Sequence, residues 1–149
     1  MDDVAPLRAL HVIGAVLLLG NVVVTGVWAA LLYSARPGVP FRAVARALLW
    51  TDLVFTGGGG ALLTISGILL AMRLRVDVWQ TPWLLKGISA LGLATLVWIV
   101  WLLPWQFRME RLAPGDESTK RKLFLWWSVV GWIDTGVLFY GLWSMVSKR

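Results

Sequence analysis

The sequence predicts an all-α integral membrane protein, a four-helix bundle forming a single transmembrane domain over residues 1–149. Three observations carry that reading. Hydrophobic residues make up 58% of the 149-residue chain and charged ones only 15%, far from ordinary soluble usage. Uncharged runs of 27, 20 and 21 residues separate Arg8 from Arg36, Asp52 from Arg73 and Lys86 from Arg108, and about 20 helical residues cross a hydrocarbon core. No run shows the sustained period-two alternation of a membrane β-strand, so each span must satisfy its own backbone as a helix.

The first helix is expected near residues 8–34. Its flank MDD is acidic and its apolar run is too long for a cleaved leader, so it reads as a retained span. Pro and Gly in ARPGVPFRAVAR end it, and the basic segment that follows is expected on the membrane surface. The second helix is expected near 48–72, the third near 82–107. After a turn at PGD in RMERLAPGDESTKRK, the fourth is expected near 123–146, with Asp134 the one charge inside its run.

The first and third loops hold eight Lys and Arg (Arg36, Arg42, Arg46, Arg108, Arg111, Lys120, Arg121, Lys122), and the opposite side holds five (Arg8, Arg73, Arg75, Lys148, Arg149). The positive-inside rule then places those loops in the cytoplasm and both termini outside, in a bacterial inner membrane. The net charge of +6 belongs to these short loops, which excludes nucleic acid as the natural partner. Zero cysteines exclude disulfides, thiolate catalysis and iron–sulfur clusters. Of the eleven tryptophans, Trp28, Trp50, Trp105, Trp126, Trp127, Trp79, Trp83 and Trp143 fall near expected span ends and read as interfacial anchors. Trp98, Trp101 and Trp132 lie deeper and read as packing.

His11, Gly14, Leu18, Asn21 and Thr25 fall at helical steps on one face. Polar groups in lipid turn toward the bundle interior, so this stripe should face other helices. Gly57, Gly60, Thr64, Gly67 and Ala71 give the second helix a smooth face. Such a face either lets helices approach closely or leaves room for a flat macrocycle. His11 and Lys86 lie at similar shallow depth, and Met72 and Met145 close their helices in the same layer. One histidine cannot build a His-only zinc site, whereas haem iron needs one or two protein ligands, commonly His and Met. Against this stand plainer readings: a hydrogen-bonded interfacial histidine and a snorkelling lysine. Asp134 lies about 18 Å of helix beyond Lys122. It should find a partner such as Asn21 or Thr25, as a proton relay or as a helix-to-helix hydrogen bond. Asp52 is expected to pair with Arg46 or Arg42.

LHVIGAVLLLGNVVVTGVW, TISGILLA and PWLLKGISALGLATLVWIVWLLPWQFRM together resemble a family of small bacterial predicted integral membrane proteins of unknown function. A more distant likeness connects the chain with the haem-binding membrane protoporphyrinogen oxidase family and the copper-resistance D membrane domain. ALH ending at His11 and WLLK ending at Lys86 look like the oxidase family's first-span histidine and later-span lysine. The resemblance implies a b-type haem with His11 as axial ligand and Lys86 contacting a propionate or a substrate carboxylate. The chain lacks the histidine that precedes that lysine in the family.

The expectation that follows is a haem b protein of redox function, performing electron transfer or tetrapyrrole or quinone oxidation. Its site would comprise His11, Lys86, Gly57, Gly60, Gly67 and Asn21, with Met72 or Met145 as second iron ligand. The competing expectation is a non-enzymatic anchor or accessory subunit for a partner membrane subunit or a homo-oligomer. Transport through Asn21, Thr25 and Asp134 is a third.

Overall fold

The computed structural model describes residues 4–34, 41–112 and 115–148, except the side chains of residues 32–34. Among them stand four helices long and apolar enough to cross a membrane. Helix α1 runs Ala5–Ser34, α2 Phe41–Leu74, α3 Pro82–Arg111 and α4 Glu117–Ser147. The basic stretch after the first loop is therefore not a separate surface segment: from Phe41 it is the first turns of α2. The expected start near residue 123 for the last span also falls short, because the helix begins six residues earlier.

Local chemistry sets the helix ends. Pro82 stands in the first turn of α3, where its missing N–H costs nothing. The Asp116 carboxylate accepts the Thr119 backbone N–H at 3.2 Å and caps α4. α2 closes with Arg75 at φ 51°, and the Val76 N–H reaches back to the Ala71 carbonyl at 3.0 Å, a Schellman closure without glycine.

Two helices are interrupted by wider π-helical turns, Asp52–Gly57 in α2 and Trp98–Leu102 in α3. Such turns are rare and cluster at functional sites.

The helices pack in chain order around the bundle. α1 lies on α2, α3 on α4, and α4 returns to α1. Glycines carry the closest approaches: a Cβ on Gly14 would sit 2.6 Å from the Leu63 backbone nitrogen, and one on Gly59 2.8 Å from that of Leu18. On the other side Gly141 faces Ala90, and Gly87 receives the Met145 side chain. Small residues thus substitute for hydrophobic exclusion, which gives little drive between helices in lipid.

α2 and α3 pack closely only through Phe41–Thr51 against Leu103–Arg111; their other halves, Gly58–Leu74 and Pro82–Val97, stand apart. At the closed end Ala45, Leu48, Leu102, Met109, Phe124 and Trp127 form the main apolar core. This is also the end that carries the two basic loops. The outside is apolar: Val16, Ile133 and Val146 are among many large side chains turned outward, as a lipid-facing surface requires.

Candidate functional site: an intramembrane cleft

The gap between the separated halves of α2 and α3 is the mouth of a cleft of about 410 Å³. All four helices line it: Leu18, Val22 and Thr25 of α1; Asp52, Thr56, Gly57 and Gly60 of α2; Leu91, Ala94 and Trp98 of α3; Trp127, Asp134 and Thr135 of α4. Both π-helical turns contribute to its wall, Asp52, Thr56 and Gly57 from one and Trp98, Ile99 and Leu102 from the other. Gly57 is where the two turns meet, since a Cβ there would lie 3.3 Å from Trp98 Cη2. Gly60 has nothing within 4 Å of its missing Cβ and so opens onto the cavity. Ile65 and Ile99, on facing sides of the mouth, are 58% and 52% exposed.

The cleft is mostly apolar, but three of its lining residues carry a buried polar atom without a hydrogen-bond partner: Trp98 Nε1, Trp127 Nε1 and Asp134 Oδ1. Buried polar atoms are nearly always paired. Each of these atoms is itself closed off from free space, so the three lie within the wall of the cleft and not on its open surface. Asp134 was expected to meet Asn21 or Thr25; instead Asn21 is engaged elsewhere and Asp134 Oδ1 stands alone.

The partner of Asn21 is Asp52. Asn21 Nδ2 donates to Asp52 Oδ1 at 2.7 Å and to Thr56 Oγ1 at 2.9 Å, and Gln106 Nε2 of α3 donates to Asp52 Oδ2. Asp52 is 5% exposed and Gln106 1%. The expected pairing of Asp52 with Arg46 or Arg42 is overturned: Arg46 binds Glu110 at 2.8 Å, and Arg42 is exposed. Gln106 stands two residues before Arg108, next to the basic rim, where a polar side chain ordinarily faces water. Its place inside an otherwise apolar run was the available signal.

The other sequence-derived candidates lie apart from the cleft. His11 packs between α1 and α2, with Nδ1 3.0 Å from the Leu63 carbonyl oxygen and 3.3 Å from Ser66 Oγ. Its ring occupies the space over Gly67, where a Cβ would come within 2.9 Å of Cε1. The polar stripe of α1 does face a neighbouring helix, as expected. The smooth face of α2, by contrast, is not bare: Trp98 fills it at Gly57 and His11 at Gly67, and only Gly60 stays open. Met72 is 70% exposed on the outside, Met145 is packed on Gly87 at the α3–α4 contact, and Lys86 is exposed. These residues share one end of the bundle but belong to different faces.

Trp127, expected at the interface, is 4% exposed in the core, and the deeper Trp101 and Trp132 are about half exposed. Of the other expected anchors, Trp28, Trp50, Trp79, Trp126 and Trp143 face outward, whereas Trp83 and Trp105 are half-buried, Trp105 against the core. Among the described residues no group of three or more His, Cys, Asp or Glu side chains could hold a metal ion.

Architecture and cleft define a multi-pass integral membrane protein built as a four-span helical bundle with a cavity open on one side between two spans. Residues 5–149 match the model of the family described as predicted integral membrane protein (DUF2269), and the chain belongs to that family. No curated protein and no solved structure matches it. The family match covers the resemblance to small membrane proteins of unknown function and lends no support to the more distant likeness to the oxidase and copper-resistance families.

Proposed function

We propose that this protein binds a flat, lipid-soluble ring compound of the quinone class, drawn laterally from the bilayer into the cleft between α2 and α3. The observation that carries the reading is the cleft itself, apolar in most of its lining, with Trp98, Trp127 and Asp134 in its wall each holding a buried polar atom without a partner. Ligand sites are mostly apolar with a few polar groups that fix orientation. A quinone ring presents carbonyl acceptors suited to the indole N–H donors of Trp98 and Trp127, and a protonated carboxyl at Asp134 would supply another donor, once these side chains turn from the wall toward the ligand. The gap between α2 and α3 lets an isoprenoid tail remain in lipid. Such a ligand makes the protein a redox component of the bacterial inner membrane, its basic end in the cytoplasm and both termini outside.

The test is equilibrium binding of a short-tailed quinone to the protein in nanodiscs. Saturable binding, weakened about ten-fold or more in Asp134→Leu, supports the reading. Absence of saturable binding overturns it.

A second reading, haem b, rests on His11. The Leu63 carbonyl can only accept, so Nδ1 carries a hydrogen, and in the neutral imidazole Nε2 then holds the lone pair. Histidines that ligate metals are oriented in this way. The residues present leave room for an iron only with His11 as its sole protein ligand at the edge of the bundle, and Lys86, exposed on another face, does not stand beside it. They do not fit a set completed by Met72 or Met145, given where those side chains lie. A Soret band in the purified protein that His11→Ala removes would support haem, and a colourless sample after haem supplementation would end it. A protein that binds neither ligand is an accessory subunit, to be recognised by the membrane subunit that purifies with it.

A further inference from the structure

The last turns of α3 have two faces. Gln106 and Met109 turn into the bundle, 1% and 2% exposed, while Pro104, Phe107, Arg108 and Arg111 follow one another at steps of three and four residues along the other side. Together with Leu123 of α4, that side lines an open groove of about 690 Å³, within the usual ligand-site range of about 300–1,000 Å³. The groove stands at the basic end of the bundle and shares no lining residue with the cleft.

Its two cations are uncommitted. Arg108 and Arg111 are exposed, and among the described residues neither forms an ion pair. The acids nearest in sequence are engaged otherwise: Glu110 holds Arg46 at 2.8 Å, Glu117 holds Lys120 at 2.9 Å, and Asp116 caps α4. The Arg111 guanidinium lies 5.9 Å from the centre of the Phe107 ring, a cation–π contact that draws it along the groove wall. Two guanidiniums one turn apart, each a planar fork of donors, suit the oxygens of a phosphate.

The rest of the lining decides what brings that phosphate. Pro104, Phe107 and Leu123 give the groove an apolar floor, and one turn deeper along the two spans Trp101 and Trp126 are 50% and 61% exposed. A free phosphate would use the arginines and leave the floor in water. A phospholipid uses both, because its phosphate stands level with the helix ends while its acyl chains run down the spans. Basic pockets between spans on the cytoplasmic side are where anionic headgroups bind. None of the described residues lining the groove is acidic, so it offers nothing to the ammonium of a zwitterionic lipid. We infer that the groove between the end of α3 and the start of α4 holds one anionic phospholipid, its phosphate on Arg108 and Arg111 and its acyl chains along Pro104, Phe107 and Leu123.

The experiment titrates phosphatidylglycerol, and separately phosphatidylcholine, into the detergent-purified protein and counts bound lipids by native mass spectrometry. One phosphatidylglycerol should bind saturably, about ten-fold or more tighter than phosphatidylcholine. Arg108→Gln/Arg111→Gln should weaken it by about ten-fold or more. Arg121→Gln/Lys122→Gln, which removes the same charge from exposed positions at the same end, should bind as the wild type does. Millimolar inorganic phosphate should leave the lipid in place. If the Arg108/Arg111 variant fails to fold, the choice between the two lipids and the phosphate competition still decide. Equal binding of the two lipids, unchanged binding in the Arg108/Arg111 variant, an equal loss in the Arg121/Lys122 variant, or displacement by inorganic phosphate would each overturn the assignment.

Discussion

The Asn21 amide of α1 donates to the Asp52 carboxylate of α2 at 2.7 Å and to Thr56 at 2.9 Å, so one side chain ties the first span to the π-helical turn of the second. Removing it leaves a buried carboxylate with one donor fewer and a hydroxyl without its donor. Asn21→Leu should lower stability by about 1–2 kcal/mol, above the average for membrane helix hydrogen bonds because two bonds are lost at once. The detergent unfolding midpoint reads this, and an unchanged midpoint would show the contact to be energetically silent.

The α1–α2 contact depends on backbone approach at Gly14. A Cβ there would meet the Leu63 nitrogen at 2.6 Å, whereas Gly20, two turns on and exposed, has nothing within 4 Å. Gly14→Ala should therefore push the helices apart at a cost of about 1–3 kcal/mol, and Gly20→Ala should leave stability unchanged or slightly raised. The pair of midpoints checks it. Equal effects at both glycines would mean the contact is loose.

The spans were legible because bilayer thickness imposes a length that charge spacing reveals directly. The inward turn of the His11–Asn21–Thr25 stripe was legible for a related reason: polar groups avoid lipid. The partners were not. Arg46 precedes Asp52 by only six residues in sequence, yet it reaches across to Glu110 of α3, because inside the bundle Asp52 is served by Asn21 and Gln106. Periodicity picked out Gly57, Gly60 and Gly67 in and after the run TGGGG and passed over Gly59, yet Gly59 carries the close contact with α1 while Gly60 opens on the cleft. The π-helical turns carry no composition signal. The cleft is a place where packing is missing, and a pattern of apolar residues does not show which of them lack a neighbour.

Gly60 gives a direct way to close that space. Nothing lies within 4 Å of its missing Cβ, and it lines the cavity. Gly60→Phe should be tolerated, with the unfolding midpoint near that of the wild type, while quinone binding falls by about ten-fold or more. Full quinone binding in Gly60→Phe would place the ligand outside the cleft.

The start of α4 should respond to acid. The hydrogen bonds from Thr119, the 3.2 Å backbone N–H contact among them, hold the Asp116 carboxyl below its ordinary value. A carboxyl with a depressed value in the folded state contributes stability above its unfolded value and loses it as pH falls through the folded one. The first turn of α4 should accordingly be intact at neutral pH and fray below the ordinary carboxylate range, seen as faster hydrogen exchange at the Thr119 amide than the intrinsic pH dependence accounts for. Asp116→Asn keeps an oxygen that can accept from Thr119, so it should preserve the turn while abolishing this acid response. Retention of the response in Asp116→Asn would assign it to Glu117 instead, the acidic residue in the first turn.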